Sequence, residues 1–225
     1  MKIAVLVAGA YRGHAAAVKT WNFLKAFDCD VFFSTWDHRQ VANLTFPLLV
    51  EDVLDLHPTA TVNVLNETEV GMPNNSSKMI WLWRDAHSAM LKRGNAYDIV
   101  LLIRPDLRVD TLVPMLKAEF ASVAENSLSM LYCPQGHADD TLLFGCQDAM
   151  SKLILGLDPL TAVATWRIHK WLSDKISEFG LTTRLTRGFV RPGIHRNSLI
   201  RPHEYESNRN RVRTDTSVLG KTVAQ

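Results

Sequence analysis

"VLLIRPDLRVD", residues 100–110, runs four apolar residues straight into Arg104, Pro105 and Asp106. An apolar run of this kind marks a strand covered on both faces, as in the middle of a parallel sheet. Pro105 has no amide hydrogen for a neighbouring strand, so the ladder ends there. Asp106 is then held at the carboxyl edge of the sheet by a stiff turn. Two readings of that turn stand side by side. Either Asp106 opens it and Arg104 pairs with the carboxylate, or the carboxylate faces a ligand.

The same pattern recurs on either side. "KIAVLVAG" (2–9) is a near-continuous apolar run ending in glycine, and "CDVFFSTWD" (29–37) is a second run ending in polar residues. "ATVNVL" (60–65), "LSMLYCP" (128–134) and "DDTLLFG" (139–145) are shorter strands further along the chain. Helical spacing of apolar residues falls between them, over 14–26, 78–93, 112–124 and 146–155. A long amphipathic helix is predicted from Pro159 to just before Gly180. Ser76 or Ser77 is the expected cap of the helix that stops at Gly94. Strands alternating with helices predict a single α/β domain over residues 1–205, with a mostly parallel central sheet and helices on both faces. Residues 206–225 read as a loose polar tail.

Composition narrows the class. With 47% hydrophobic and 21% charged residues in 225, the chain has an ordinary globular make-up and needs no disulfides or structural metal to close a core. Cys29, Cys133 and Cys146 are odd in number and widely spaced, which fits reduced thiols in the cytoplasm. The N-terminal apolar run is short and reads as a strand rather than a signal peptide, and no run is long enough to span a membrane. Charge is uneven. Residues 1–183 hold 16 Lys and Arg against 20 Asp and Glu, whereas residues 184–213 hold eight arginines against two glutamates. That basic segment is expected to meet something anionic.

In a parallel sheet flanked by helices, ligands bind beyond the carboxyl ends of the strands. After the first strand come Ala8, Gly9 and Arg12, where the backbone can approach a ligand and a guanidinium can reach a phosphate; an ordinary surface turn is the alternative. After the second comes Asp37, suited to a ribose hydroxyl or a base N–H. At the start of the long helix stand Ser77, Lys78 and Trp81. Asp106 carries hard oxygen ligands that suit Mg²⁺ or Mn²⁺ on a diphosphate. Asp139 and Asp140 precede another apolar run, and either is a candidate general base or a simple cap.

Taken in order, "AGAYRG", "CDVFFSTWD", "YDIVLLIRPDL" and "DDTLLFGCQDAM", spread over residues 1–155, resemble small GT-A-type glycosyltransferases of bacterial polysaccharide and viral gene sets. The resemblance implies a nucleotide-sugar donor at the strand ends, a hydroxyl acceptor (glycan or a hydroxymethylated DNA base), and hexosyl or pentosyl transfer. It also implies a metal-binding Asp-x-Asp. Here that motif reads Arg104-Pro105-Asp106, so only Asp106 matches, and Arg104 stands where a first carboxylate is expected. A guanidinium can itself neutralise donor phosphates, which places Arg104 among the catalytic candidates. A late histidine metal ligand is expected at His195, with His203 second, and Arg196 joins the donor set from the basic segment. Two other readings stand beside this one. "VLVAGAYRGH" faintly resembles the loop of sugar nucleotidyltransferases, and the basic C-terminal segment suits a non-catalytic nucleotide- or nucleic-acid-binding module.

Overall fold

The computed structural model describes residues 1–41, 44–131, 137–163 and 167–190. Residues 1–191 cluster as one compact unit. The positions expected in the basic segment beyond Val190 (His195, Arg196, His203 and the 206–225 tail) lie outside the described residues, as does Cys133.

The chain opens with β1 (Lys2–Ala8), two single-turn helices α1 (His14–Ala17) and α2 (Phe23–Ala26), and β2 (Asp28–Trp36). A hairpin comes next, β3 (His38–Val41) with β4 (Leu44–Pro47), then α3 (Val50–Leu54), β5 (Thr61–Leu65), α4 (Glu67–Val70) and the long α5 (Asn75–Arg93). Beyond it lie β6 (Ile99–Ile103), β7 (Asp110–Thr111), α6 (Val113–Ala121), β8 (Ser127–Met130), β9 (Leu142–Gly145) and α7 (Gln147–Gly156). The described chain ends with α8 (Ile168–Glu178), β10 (Thr182–Leu185) and β11 (Phe189–Val190).

Seven strands form one sheet in the order β10-β8-β9-β6-β1-β2-β5. Every neighbouring pair is parallel except the two that β9 makes with β6 and β8. The sheet is therefore mostly parallel, as the sequence predicts. β1 is central and buried on both faces. Ala4, Leu6 and Ala8 join a core with Ile80, Trp83 and Met90 of α5 and Leu153 of α7. Ile3, Val5 and Val7 join a second core with Trp21, Phe23, Leu116 and Phe120. α5 is locked to the sheet by one carboxylate: Asp85 Oδ2 accepts from Ser34 Oγ of β2 at 2.7 Å and from Asn63 Nδ2 of β5 at 2.8 Å.

Three of the predicted features differ in the structure. The helix expected over 14–26 is cut into α1, a 3₁₀ turn at Val18–Thr20, and α2. Its break is fixed from outside: the Trp21 indole donates to the Leu107 carbonyl at 2.8 Å, and Thr20 Oγ1 accepts from the Val109 amide at 3.0 Å. These bonds tie the segment to the loop after β6, and tertiary hydrogen bonds override helical spacing. The cap of α5 is Asn74 rather than either serine; its side chain accepts from the Ser77 amide. The amphipathic helix predicted from Pro159 reduces to a 3₁₀ turn at Pro159–Thr161 and to α8.

Candidate active site

A cleft of about 330 Å³ opens at the carboxyl ends of β1, β2 and β6, within the range of small-molecule sites. It is lined by the loop after β1 (Gly9 to Arg12), by Trp36, His38 and Glu67, by Asn75, Ser76, Lys78, Met79 and Leu82 of α5, and by Arg104, Asp140 and Ile168.

The loop after β1 and the turn after β6 are joined three ways. Gly9 has φ +146°, and a Cβ there would come within 3.0 Å of Pro105 Cδ. Only glycine takes that conformation without strain. Gly9→Ala is therefore expected to destabilise the chain by about 1–3 kcal/mol, read as a thermal midpoint several degrees lower. An unchanged midpoint would show that the approach to Pro105 is not tight. The second link is an ion pair, Arg12 Nε to Asp106 Oδ2 at 2.9 Å. The third is His14 Nδ1 on the Pro105 carbonyl, at 2.9 Å.

Arg104 grips the same carboxylate with a two-pronged contact, Nε to Oδ1 at 3.0 Å and Nη2 to Oδ2 at 2.7 Å. Pro105 makes the turn and Asp106 pairs with Arg104; of the two, Arg104 lines the cleft and Asp106 is not among the lining residues. Burial would raise the Asp106 carboxyl, but the bonds and charge of Arg104, then those of Arg12, outweigh it and hold the group below the usual carboxylate range. For Arg104, burial favours the neutral form, yet Asp106, with Asp140 and Asp139 beyond it, keeps the guanidinium more firmly protonated than usual.

This arrangement bears on the metal expected at Asp106. Both carboxylate oxygens are already taken by guanidinium N–H groups, and a divalent cation there would face two fixed positive charges. No group of three or more His, Cys, Asp or Glu among the described residues is placed to hold a cation. The described side chains do not fit a Mg²⁺ or Mn²⁺ at this position. The second expected ligand, His195, lies outside the described residues.

Asp139 and Asp140, adjacent in sequence, take different places. The Arg104 amide bonds the Thr141 carbonyl at 3.0 Å, which draws their turn to the cleft. Asp139 is buried and turned onto Thr141, accepting from its amide at 3.0 Å and its hydroxyl at 2.7 Å. Burial pushes its carboxyl up, against the effect of those bonds. Asp140 lines the cleft, with His169 Nδ1 3.8 Å away.

The other predicted positions divide. Gly9, Arg12, Lys78 and Arg104 line the cleft, and Ala8 sits buried just beneath at the end of β1. Ser77 and Trp81 are not among the lining residues: Ser77 is buried in the first turn of α5, and Trp81 is exposed on its outer side. Asp37 is beside the cleft rather than in its lining, with its carboxylate 3.3 Å from His38 Nδ1. Sequence reasoning did not single out His38 or Glu67, and took Ser76 only as a possible helix cap. Glu67 bridges two lining residues, with Lys78 Nζ on one oxygen and His38 Nε2 on the other at 3.2 Å. Ser76 is buried, and its hydroxyl has no hydrogen-bond partner among the described residues.

No helix among the described residues is long and apolar enough to cross a membrane. No protein-family model matches the chain, and no curated protein matches it in sequence. Among solved structures, the chain is similar to the galactosyltransferase LgtC in complex with donor and acceptor sugar analogues (13% identity, 81% of this chain and 72% of that one, TM-score 0.43). It is also similar to a nucleotidyl transferase from Methanothermobacter (15% identity, 95% and 98%, TM-score 0.44).

Proposed function

We propose that the chain transfers a glycosyl group from a nucleotide-sugar donor to a hydroxyl acceptor, with arginines rather than a metal ion holding the donor diphosphate. The observation that carries this reading is the pair Arg12 and Arg104, held by Asp106 at the carboxyl edge of a mostly parallel sheet and lining one cleft with Asp140. A guanidinium has five N–H donors in a rigid fork. Asp106 engages two on Arg104 and one on Arg12, so each arginine keeps N–H groups for phosphate oxygens while the carboxylate fixes its orientation. Asp106 is then a positioning group rather than a metal ligand.

The chemistry is set by where charge develops. The bond between the sugar's anomeric carbon and the diphosphate oxygen breaks, and a bond from the acceptor oxygen to that carbon forms. Negative charge gathers on the departing diphosphate, where Arg104 and Arg12 stabilise it. Asp140 takes the acceptor's hydroxyl proton. The remaining lining groups, Glu67, Asn75, Ser76 and Lys78, mix donors and acceptors. Such a set suits sugar hydroxyls, which both give and take hydrogen bonds, better than a second anion, which Glu67 would repel.

The full chain incubated with a panel of nucleoside-diphosphate sugars and hydroxyl acceptors tests the reading. Release of a nucleoside diphosphate together with a glycosylated acceptor is expected. Release of pyrophosphate from a nucleoside triphosphate and a sugar phosphate would identify nucleotidyl transfer instead, and binding without turnover would identify a non-catalytic module. Turnover is further expected to be undiminished in EDTA, since both oxygens of Asp106 are held by Arg104 and Arg12.

A further inference from the structure

His14 and His57 are 43 residues apart in sequence, yet their Nε2 atoms are 2.9 Å apart in the interior. Both are buried, packed among Tyr11, Trp21 and Phe33, with His14 5.1–5.3 Å from each of these rings. The proposed transfer assigns them no part. On the other side of His14, Nδ1 meets the carbonyl of Pro105, the central residue of the Arg-Pro-Asp turn.

We propose that His14 and His57 are a positioning pair that sets the Arg-Pro-Asp turn, and with it the two phosphate-gripping arginines, through a hydrogen-bond chain His57–His14–Pro105. The proposal rests on the reading of Arg12 and Arg104 as the phosphate site. A carbonyl only accepts, so His14 Nδ1 carries the hydrogen. A neutral His14 then has a bare Nε2, and His57 Nε2, which faces it, must donate. The chain is thus directional, and both rings are neutral.

Protonation works against it. One added proton places a charge among aromatic rings, behind a turn that already bears two guanidiniums; a second sets N–H against N–H. Burial lowers both histidines, His57 to about 4 with the His14 charge adding to the effect. The ordinary histidine value is about 6.5. A depressed value means the folded state resists a proton that the unfolded chain accepts, so the pair's contribution is complete above about 6.5 and is lost as pH falls towards 4. Other ionisable groups surround the pair. Tyr11 is raised by burial first and then by Asp52; Arg39 works against that and Asp55 adds to it. Arg12, Arg104 and Asp106 lie across Pro105, and Asp106 stays ionised throughout this window.

The test uses the full chain, His57→Gln and His57→Phe, with inorganic pyrophosphate as the probe in calorimetric titrations. Gln donates to His14 at neutral pH and can turn its carbonyl to a protonated His14 in acid, whereas Phe keeps the ring but has no donor. At pH 7.5 His57→Gln is expected to bind as the unaltered chain does, and His57→Phe about tenfold more weakly, the equivalent of one buried hydrogen bond. From pH 7.5 to 4 the unaltered chain is expected to lose more affinity than His57→Gln, most of it near 4 where the folded His57 takes its proton; the probe's own titration is common to both. Imidazole ¹⁵N spectra at pH 7.5 are expected to show hydrogen on His14 Nδ1 and His57 Nε2. Equal affinity of His57→Phe, the same pH dependence for His57→Gln, or hydrogen on His14 Nε2 would each overturn the proposal. If His57→Phe does not fold, the pH comparison and the spectra decide. If the unaltered chain binds no pyrophosphate, the phosphate reading fails on its own account. The pair is then judged by whether the Asp106 and Leu107 amide resonances of the unaltered chain move more than those of His57→Gln over the same pH range; equal movement overturns it.

Discussion

Arg104→Ala is expected to lower donor turnover by about 10²–10³-fold while the chain remains folded. Arg104, just past the end of β6, lines the cleft and grips Asp106 through two bonds. Its removal takes away one of the two guanidiniums available to the departing diphosphate and leaves Asp106 with Arg12 alone. Arg104→Lys separates charge from geometry. Lysine restores a positive charge but not the fork, so an intermediate rate is expected. Arg12 is more exposed than Arg104, so Arg12→Ala is expected to cost less. Steady-state release of nucleoside diphosphate measures all three. A rate for Arg104→Ala within about threefold of the unaltered chain, well short of the loss of one transition-state donor, would remove Arg104 from the mechanism.

The second large effect falls on the two adjacent carboxylates. Asp140→Asn is expected to reduce kcat by about 10²–10⁴-fold, the usual range for loss of a general base, with little change in the KM for donor. Asp139→Asn is expected to act mainly on stability. Its carboxyl is buried against Thr141 and already pushed towards the neutral form, so an amide replaces it without stranding a charge. The contrast is the informative result. If Asp139→Asn abolished turnover and Asp140→Asn did not, the roles would have to be exchanged, and the turn would have to open to let Asp139 reach an acceptor.

The sheet was legible because its central strands are buried on both faces, and continuous apolar runs such as "IAVLVA" and "IVLLI" have few other uses in a chain of this size. Their polar termini were legible for the same reason: the residues directly after a buried strand stand at the sheet edge. Helix phase was less so. Which side of α5 faces the cleft depends on the residue that starts it, and with Asn74 as cap, Ser76 reaches the cleft while Ser77 and Trp81 do not. The break at Trp21 required the Leu107 carbonyl, 86 residues away in sequence. Glu67 and the His14–His57 contact are also products of folding over long separations, and no local pattern announces them. The Arg104-Pro105-Asp106 turn was visible in the sequence; its consequence, an Asp106 already occupied by two arginines, was not.

Everything proposed for the cleft turns on whether the arginine cluster holds a donor diphosphate without a divalent cation. Thermal denaturation of the full chain with a panel of nucleoside-diphosphate sugars, once in EDTA and once in Mn²⁺, decides this. A donor at roughly a hundredfold over its Kd stabilises the folded state by about 2.7 kcal/mol, which is readily seen as a higher midpoint. At least one donor is expected to raise the midpoint equally in both conditions. A rise confined to Mn²⁺ would contradict metal-free binding, because Asp106 would then have to leave its arginines for a metal.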